Sequence, residues 1–164
     1  MKNQLLIPHR NVNIQGTFFH NSTSTLIIVS PGFLVTTKTK ALKKPMEIMD
    51  QEAASFYIYD SLSYINTPLH KKIAPIYENK VNELKDIVAY FQKSYSFKNI
   101  ILEGGSLGAF LCSVIATQIV GISALITING VFDFDRYFQS YPHVYLFLNF
   151  LILDKSIRKI DNFI

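Results

Sequence analysis

The residues Gly104-Gly105-Ser106-Leu107-Gly108 read G-x-S-x-G. They stand between an apolar β-branched run, Ile100 to Leu102, and an apolar stretch of helical character that starts near Leu107. A serine hydroxyl becomes a useful nucleophile when a base takes its proton and nearby N–H groups stabilise the oxyanion it creates. A sharp strand-to-helix turn lifts the hydroxyl clear of the backbone, and small residues two before and two after it keep that turn free of clashes. The helix that follows brings free N–H groups and its positive dipole end to the same place. The chemistry would be acyl transfer through Ser106. The same five residues also suit a Gly-rich turn between strand and helix, used for packing or to hold a phosphate. No Lys follows the glycines and G-x-G-x-x-G is absent, which removes the two common phosphate loops.

Such a serine needs a base, normally His, held by an acid. His9, His20 and His70 precede Ser106 and read as loop positions; His143 follows it, beside Pro142. Asp133 and Asp135 lie between Ser106 and His143. Both aspartates also suit a turn or a helix N-terminus, and His143 also suits an exposed loop. Cys112, six residues past Ser106, reads as a packing residue in a helix. No His/Cys/Asp spacing suggests a metal, so none is expected.

The elements needed to position this turn are legible as alternating apolar runs. Val12 to Phe19 alternates loosely, as a strand does. Leu26 to Val29 is a β-branched run closed by Ser30-Pro31-Gly32, and Phe56 to Tyr59 ends at Asp60. Ile100 to Leu102 and Ala124 to Ile128 complete the strands. Between them, Met46, Met49 and Ala53 share a helical face, with Pro45 suited to a first turn. In Glu78 to Tyr95, Val81, Leu84, Val88 and Phe91 make an apolar stripe. Leu107 to Val120 is apolar nearly all round, as a helix buried against a sheet should be, and Gly121 suits its end. The alternation predicts a parallel sheet with right-handed crossovers, with function at the carboxyl ends of the strands. The loops to watch are Ser30 to Leu34, Asp60 to Ser63 and Glu103 to Gly108.

Composition agrees with one compact domain over residues 1–164. Apolar residues are 49% and charged residues 17%, unlike a disordered tail or a coiled coil. One Cys removes a disulfide framework and suggests a reducing, cytoplasmic setting. The net charge of +4 is modest for a nucleic-acid binder. The lysines at 38, 40, 43, 44, 71 and 72 carry no interleaved aromatics in their first run and read as a solvated face, so no nucleic-acid partner is expected. No signal peptide is read at the N-terminus. Gly104 to Phe132 is uncharged throughout, but its five glycines, Gln118 and Asn129 fit a buried helix and strand better than a membrane span.

With these motifs in this order, the chain resembles the α/β-hydrolase superfamily, closest to its esterase, lipase and serine-aminopeptidase-like group, across most of residues 12 to 135. LIIVSPGF looks like the strand and turn carrying that family's oxyanion loop, and FYIYD like the strand ending in its Tyr-Asp. The helix over Glu78 to Tyr95, then IILEGGSLGA and ALITING, follow in the family's order. The resemblance implies a three-layer α/β sandwich with a mostly parallel sheet, no cofactor, and a small acyl substrate. It implies Ser106 as nucleophile, the N–H groups of Leu107 and Phe33 as the oxyanion hole, and Gly104 and Gly108 as the small residues of the elbow. The family's chain order of nucleophile, acid and His points to Asp133 and His143. After Asp60 the family's Arg-Gly-x-Gly is replaced by Ser61-Leu62-Ser63-Tyr64.

The family's usual acid and His follow further strands, so the expected fold is a shortened one, cut after the sixth strand. Ala124 to Ile128 would then be an apolar edge open to pairing. Tyr137 to Leu153, within the segment 136–164, is expected to cover that edge or cap the site; otherwise the exposed edge favours a homo-oligomer. Two functions follow: a serine hydrolase cleaving an ester, thioester or amide, or a noncatalytic remnant that keeps the sheet and elbow, lacks the catalytic His and acts as a binding module.

Overall fold

A computed structural model describes residues 2–32, 35, 37–62 and 74–130, apart from the side chains of 41 and 74–77. Among the described residues, nine elements run in the order β1 (Lys2–His9), β2 (Val12–Phe19), β3 (Thr25–Ser30), α1 (Lys40–Met49), β4 (Ser55–Asp60), α2 (Ala74–Ser94), β5 (Asn99–Gly105), α3 (Leu107–Gln118) and β6 (Ile122–Ile128). The strands form one sheet ordered β1-β2-β4-β3-β5-β6. β1 with β2 and β2 with β4 are antiparallel; β3 pairs in parallel with β4 and β5, and β5 in parallel with β6. The sheet is therefore mixed: β4, β3, β5 and β6 run parallel, with helices in the connections between them, whereas β1 and β2 form a hairpin that joins the sheet antiparallel to β4.

Period-two alternation on the central strands divides their side chains between two cores. Leu26, Ile28, Tyr57, Tyr59, Ile100 and Leu102 face one way and pack with Leu84, Val88 and Phe91 of α2 and Leu111, Cys112 and Ile115 of α3. Val29, Phe56, Ile58 and Phe19 face the other way and pack with Met46 and Met49 of α1. Sheet between helices is the three-layer arrangement expected. β4, with all six residues buried, lies at its centre.

One strand goes beyond those expected, and two local expectations need correction. Lys2–His9 is a strand, paired along its whole length to β2. Pro45 lies inside α1 rather than in its first turn, and Ala53 follows the helix. The helix begins five residues earlier at Lys40, with the Leu42 N–H donating to Thr39 O at 2.9 Å. Pro45 forfeits one hydrogen bond to the preceding turn, but burial of Met46 and Met49 holds the helix in place. His9 is no loop residue: it ends β1, is buried, and its Nδ1 lies 2.7 Å from Asp86 Oδ2 on α2.

At the other edge, Leu125, Ile126 and Ile128 of β6 are 39%, 41% and 50% exposed. The segment Tyr137 to Leu153, expected to cover them, lies outside the described residues. Among the described residues, no helix is long and apolar enough to cross a membrane.

Among the described residues, one buried side-chain polar group is unsatisfied. The Tyr57 hydroxyl has no hydrogen-bond partner among the described residues, although the residue is fully buried. A buried hydroxyl without a partner carries its full desolvation penalty. Tyr57→Phe removes that penalty and no bond, so it is expected to stabilise the fold by about 1 kcal/mol. Chemical denaturation of the two proteins measures this; a loss of stability would show that the hydroxyl is satisfied.

Candidate active site

The carboxyl ends of β3, β5 and β6 meet at Ser106. This residue sits between the end of β5 and the first residue of α3, with φ 53° and ψ −121°. A residue carrying a Cβ pays for that backbone conformation in strain, and such strain gathers at functional sites. Three contacts hold it there. The Ser106 N–H donates to Ile128 O, at the end of β6, at 2.9 Å. The Ser106 carbonyl accepts the Ala109 N–H at 3.1 Å, starting the helix. Gly32 lies beside it: a Cβ placed on Gly32 would come within 3.5 Å of Ser106 Cβ. The side chain is exposed.

The glycines on either side are required by space. A Cβ on Gly108 would run into the Ser30 carbonyl oxygen and lie 3.0 Å from Pro31 O. A Cβ on Gly104 would run into the Gly108 carbonyl and lie 2.5 Å from Ala109 N. The first turn of α3 thus rests directly on the end of β3 and on the chain leaving β5. Leu107, as the first helical residue, has an N–H with no acceptor four residues back in its helix.

Two further contacts hold Thr37, in the chain after β3. Asp60, at the end of β4, accepts the Thr37 N–H at 2.5 Å and the Thr37 hydroxyl at 2.8 Å. Thr37 is thereby tied to the end of β4. The sequence did not reveal this latch, because nothing in residues 31–37 marks Thr37 as a partner of Asp60. Asp60→Ala leaves two donors without their acceptor and is expected to cost about 2 kcal/mol, read as a lower thermal midpoint. An unchanged midpoint would mean that the latch holds nothing. Next to it, Ser61 is buried and its hydroxyl donates to Glu83 Oε2 at 2.6 Å. Ser61 so occupies the start of the segment where the resembling family has its Arg-Gly-x-Gly.

Beneath the elbow, Cys112 packs as expected, buried in α3, its thiol donating to Glu103 O at 3.5 Å. Burial pushes the thiol up to about 12, so it stays protonated and inert at neutral pH. Partial burial also raises the Glu103 carboxyl above its usual range.

The structure brings together Ser106, Leu107, Gly104, Gly108 and the Pro31-Gly32 turn. Phe33, Asp133 and His143 lie outside the described residues, as does His70. Two histidines are described, and neither is near Ser106. His9 is on β1, four strand spacings from β5, or about 19 Å. His20 follows β2, whose Phe19 pairs with Phe56 near the start of β4, so it lies at the opposite end of the parallel strands. Among the described residues no group of His, Cys, Asp and Glu could hold a metal ion.

No protein-family model matches the chain, and the search of curated proteins gives no match. Solved structures do match. An esterase of Pyrococcus furiosus aligns with a TM-score of 0.71 at 16% identity, covering 93% of this chain and 60% of that one. An alpha/beta hydrolase, GrgF, from a Penicillium species aligns at 0.68 and 16% identity, covering 89% and 53%. An alpha-beta serine hydrolase homologue from Coxiella burnetii aligns at 0.57 and 18% identity, covering 76% and 61%. At such identities the likeness is one of fold. The chain spans between half and two thirds of the length of these three.

Proposed function

We propose, from the α/β-hydrolase fold that this chain adopts, that Ser106 is the nucleophile of a serine hydrolase acting on an ester, thioester or amide. The backbone at Ser106 carries the proposal: a strained, exposed serine at the junction of β5 and α3, beside the Pro31-Gly32 turn. In this mechanism Ser106 Oγ attacks the acyl carbonyl carbon and its proton passes to His143, oriented by Asp133. The oxyanion accepts hydrogen bonds from the Leu107 and Phe33 N–H groups. The leaving alcohol, thiol or amine takes the proton from His143 as the acyl-enzyme forms. Water, deprotonated by the same His, then releases the acid and frees Ser106. The hydrolase names of the structural neighbours support the reaction class.

A binding module without hydrolytic activity is the second reading. It is favoured by the absence of a histidine near Ser106 among the described residues. A fluorophosphonate probe separates the two, because it needs both the serine and the base that activates it. The hydrolase labels at Ser106, located by peptide mass spectrometry, and His143→Ala slows labelling on the order of 10³-fold or more. Full labelling of His143→Ala would remove His143 as the base, and an unlabelled wild type would favour the binding module.

A further inference from the structure

Ser30 and Tyr59 meet in the core behind the elbow. They stand side by side at the carboxyl ends of β3 and β4, one residue beyond the paired Val29 and Ile58. Ser30 Oγ and the Tyr59 hydroxyl lie 3.1 Å apart and either can donate. Each residue is 1% exposed. Burial pushes the Tyr59 phenol well above its usual range, so the bond joins two neutral hydroxyls.

Ser30 is the last residue before the Pro31-Gly32 turn, and its carbonyl is the group on which Gly108 rests. From Tyr59 the contacts run through Ser30 to two places at once: forward to Gly32 beside Ser106, and across to the first turn of α3. Tyr59 itself is held between Tyr57, whose ring stacks on it at 6.3 Å, and the core formed with α2 and α3. A rigid phenol therefore fixes a residue that borders both the turn and the helix start.

We propose that Tyr59 is a positioning residue, whose hydroxyl holds Ser30 and thereby sets the Pro31-Gly32 turn against Ser106. The proposal rests on Ser106 as the nucleophile for its effect on rate, but not for its effect on the turn. A small displacement between nucleophile and oxyanion donors lowers the rate of attack without changing how the rest of the substrate binds.

The test uses the full chain with Tyr59→Phe, Ser30→Ala and the double substitution, and an alkyl fluorophosphonate probe. Three quantities are read: the maximal labelling rate with its half-saturating probe concentration, the exchange rates of the Gly32 and Leu107 amides, and the thermal midpoint. Tyr59→Phe is expected to lower the maximal rate about tenfold with little change in half-saturation. It should speed Gly32 amide exchange while the β1 and β2 amides keep theirs. Ser30→Ala, which also gives up the Ser30 bond to the Cys112 thiol, should lower the rate at least as much, and the double variant should be no worse than Ser30→Ala, because Tyr59→Phe then has no further bond to remove. A purely structural role would lower the midpoint and slow no folded molecule. Unchanged rate and Gly32 exchange, or additive losses in the double variant, would overturn the proposal. If the wild type does not label at all, the hydrolase reading fails alone: faster Gly32 exchange in Tyr59→Phe still supports positioning, and unchanged exchange overturns it.

Discussion

Ser106→Ala is expected to abolish fluorophosphonate labelling and to lower hydrolysis on the order of 10⁵- to 10⁶-fold, with the thermal midpoint close to that of the wild type. Ser106→Gly is expected to be equally inactive but more stable. The two substitutions separate the reaction from the strain that supports it. Alanine removes the attacking oxygen and keeps the Cβ, so the backbone at φ 53° and ψ −121° stays strained. Glycine removes the Cβ as well. The same angles are the mirror image of a common extended conformation, and glycine adopts them freely. Relief of about 1–3 kcal/mol of strain is offset by about 0.5–1 kcal/mol for the added freedom of the unfolded chain. The net gain is about 1 kcal/mol, or roughly 3 °C in midpoint. Labelling that survived in Ser106→Ala would place the nucleophile elsewhere. A lower midpoint for Ser106→Gly would show that the fold is not holding this residue against its own preference.

The elbow was legible in the sequence because its requirements are local. A tight turn under a helix leaves no room at the second residue on either side of the serine, and Gly104 and Gly108 record that directly. The central strands were legible for a similar reason: Leu26 to Val29 and Phe56 to Tyr59 are buried on both faces and so are apolar throughout. β1 was hidden by the opposite circumstance. It is an edge strand with exposed Lys2, Asn3, Gln4 and Leu6, and a proline at position 8. Its hairpin with β2 turns at Arg10, which takes φ 51° without being the Gly or Asn that usually marks such a turn. The start of α1 was hidden because Pro45 has a strong local preference that packing of Met46 and Met49 overrides. Contacts such as Thr37 with Asp60 join residues 23 apart and leave no periodic trace. The acid and base of the proposed mechanism face the same difficulty: neither Asp133 nor His143 is marked by its neighbours as the elbow serine is.

The local steric account of the elbow has a sharp consequence for its three glycines. Gly108→Ala is expected to cost at least about 3 kcal/mol, roughly 10 °C in midpoint, because the new methyl meets the Ser30 carbonyl and lies 2.9 Å from its carbon. These are backbone atoms of a paired strand, so no rotamer change can make room. Gly104→Ala should be similarly costly, since its methyl would lie 2.5 Å from Ala109 N. Gly105→Ala, at the intervening position, should change stability by less than about 0.5 kcal/mol, as its nearest neighbour is Ile128 O at 3.9 Å. The double substitution at Gly104 and Gly108 should cost less than the sum of the two. Both methyls push α3 away from the strand ends, and the displacement that relieves one relieves part of the other. Chemical denaturation of the four variants measures all of these. If Gly105→Ala proved as damaging as Gly108→Ala, the glycines would be serving backbone freedom rather than close approach, and the packing of α3 on Ser30 would not be what holds Ser106 in place.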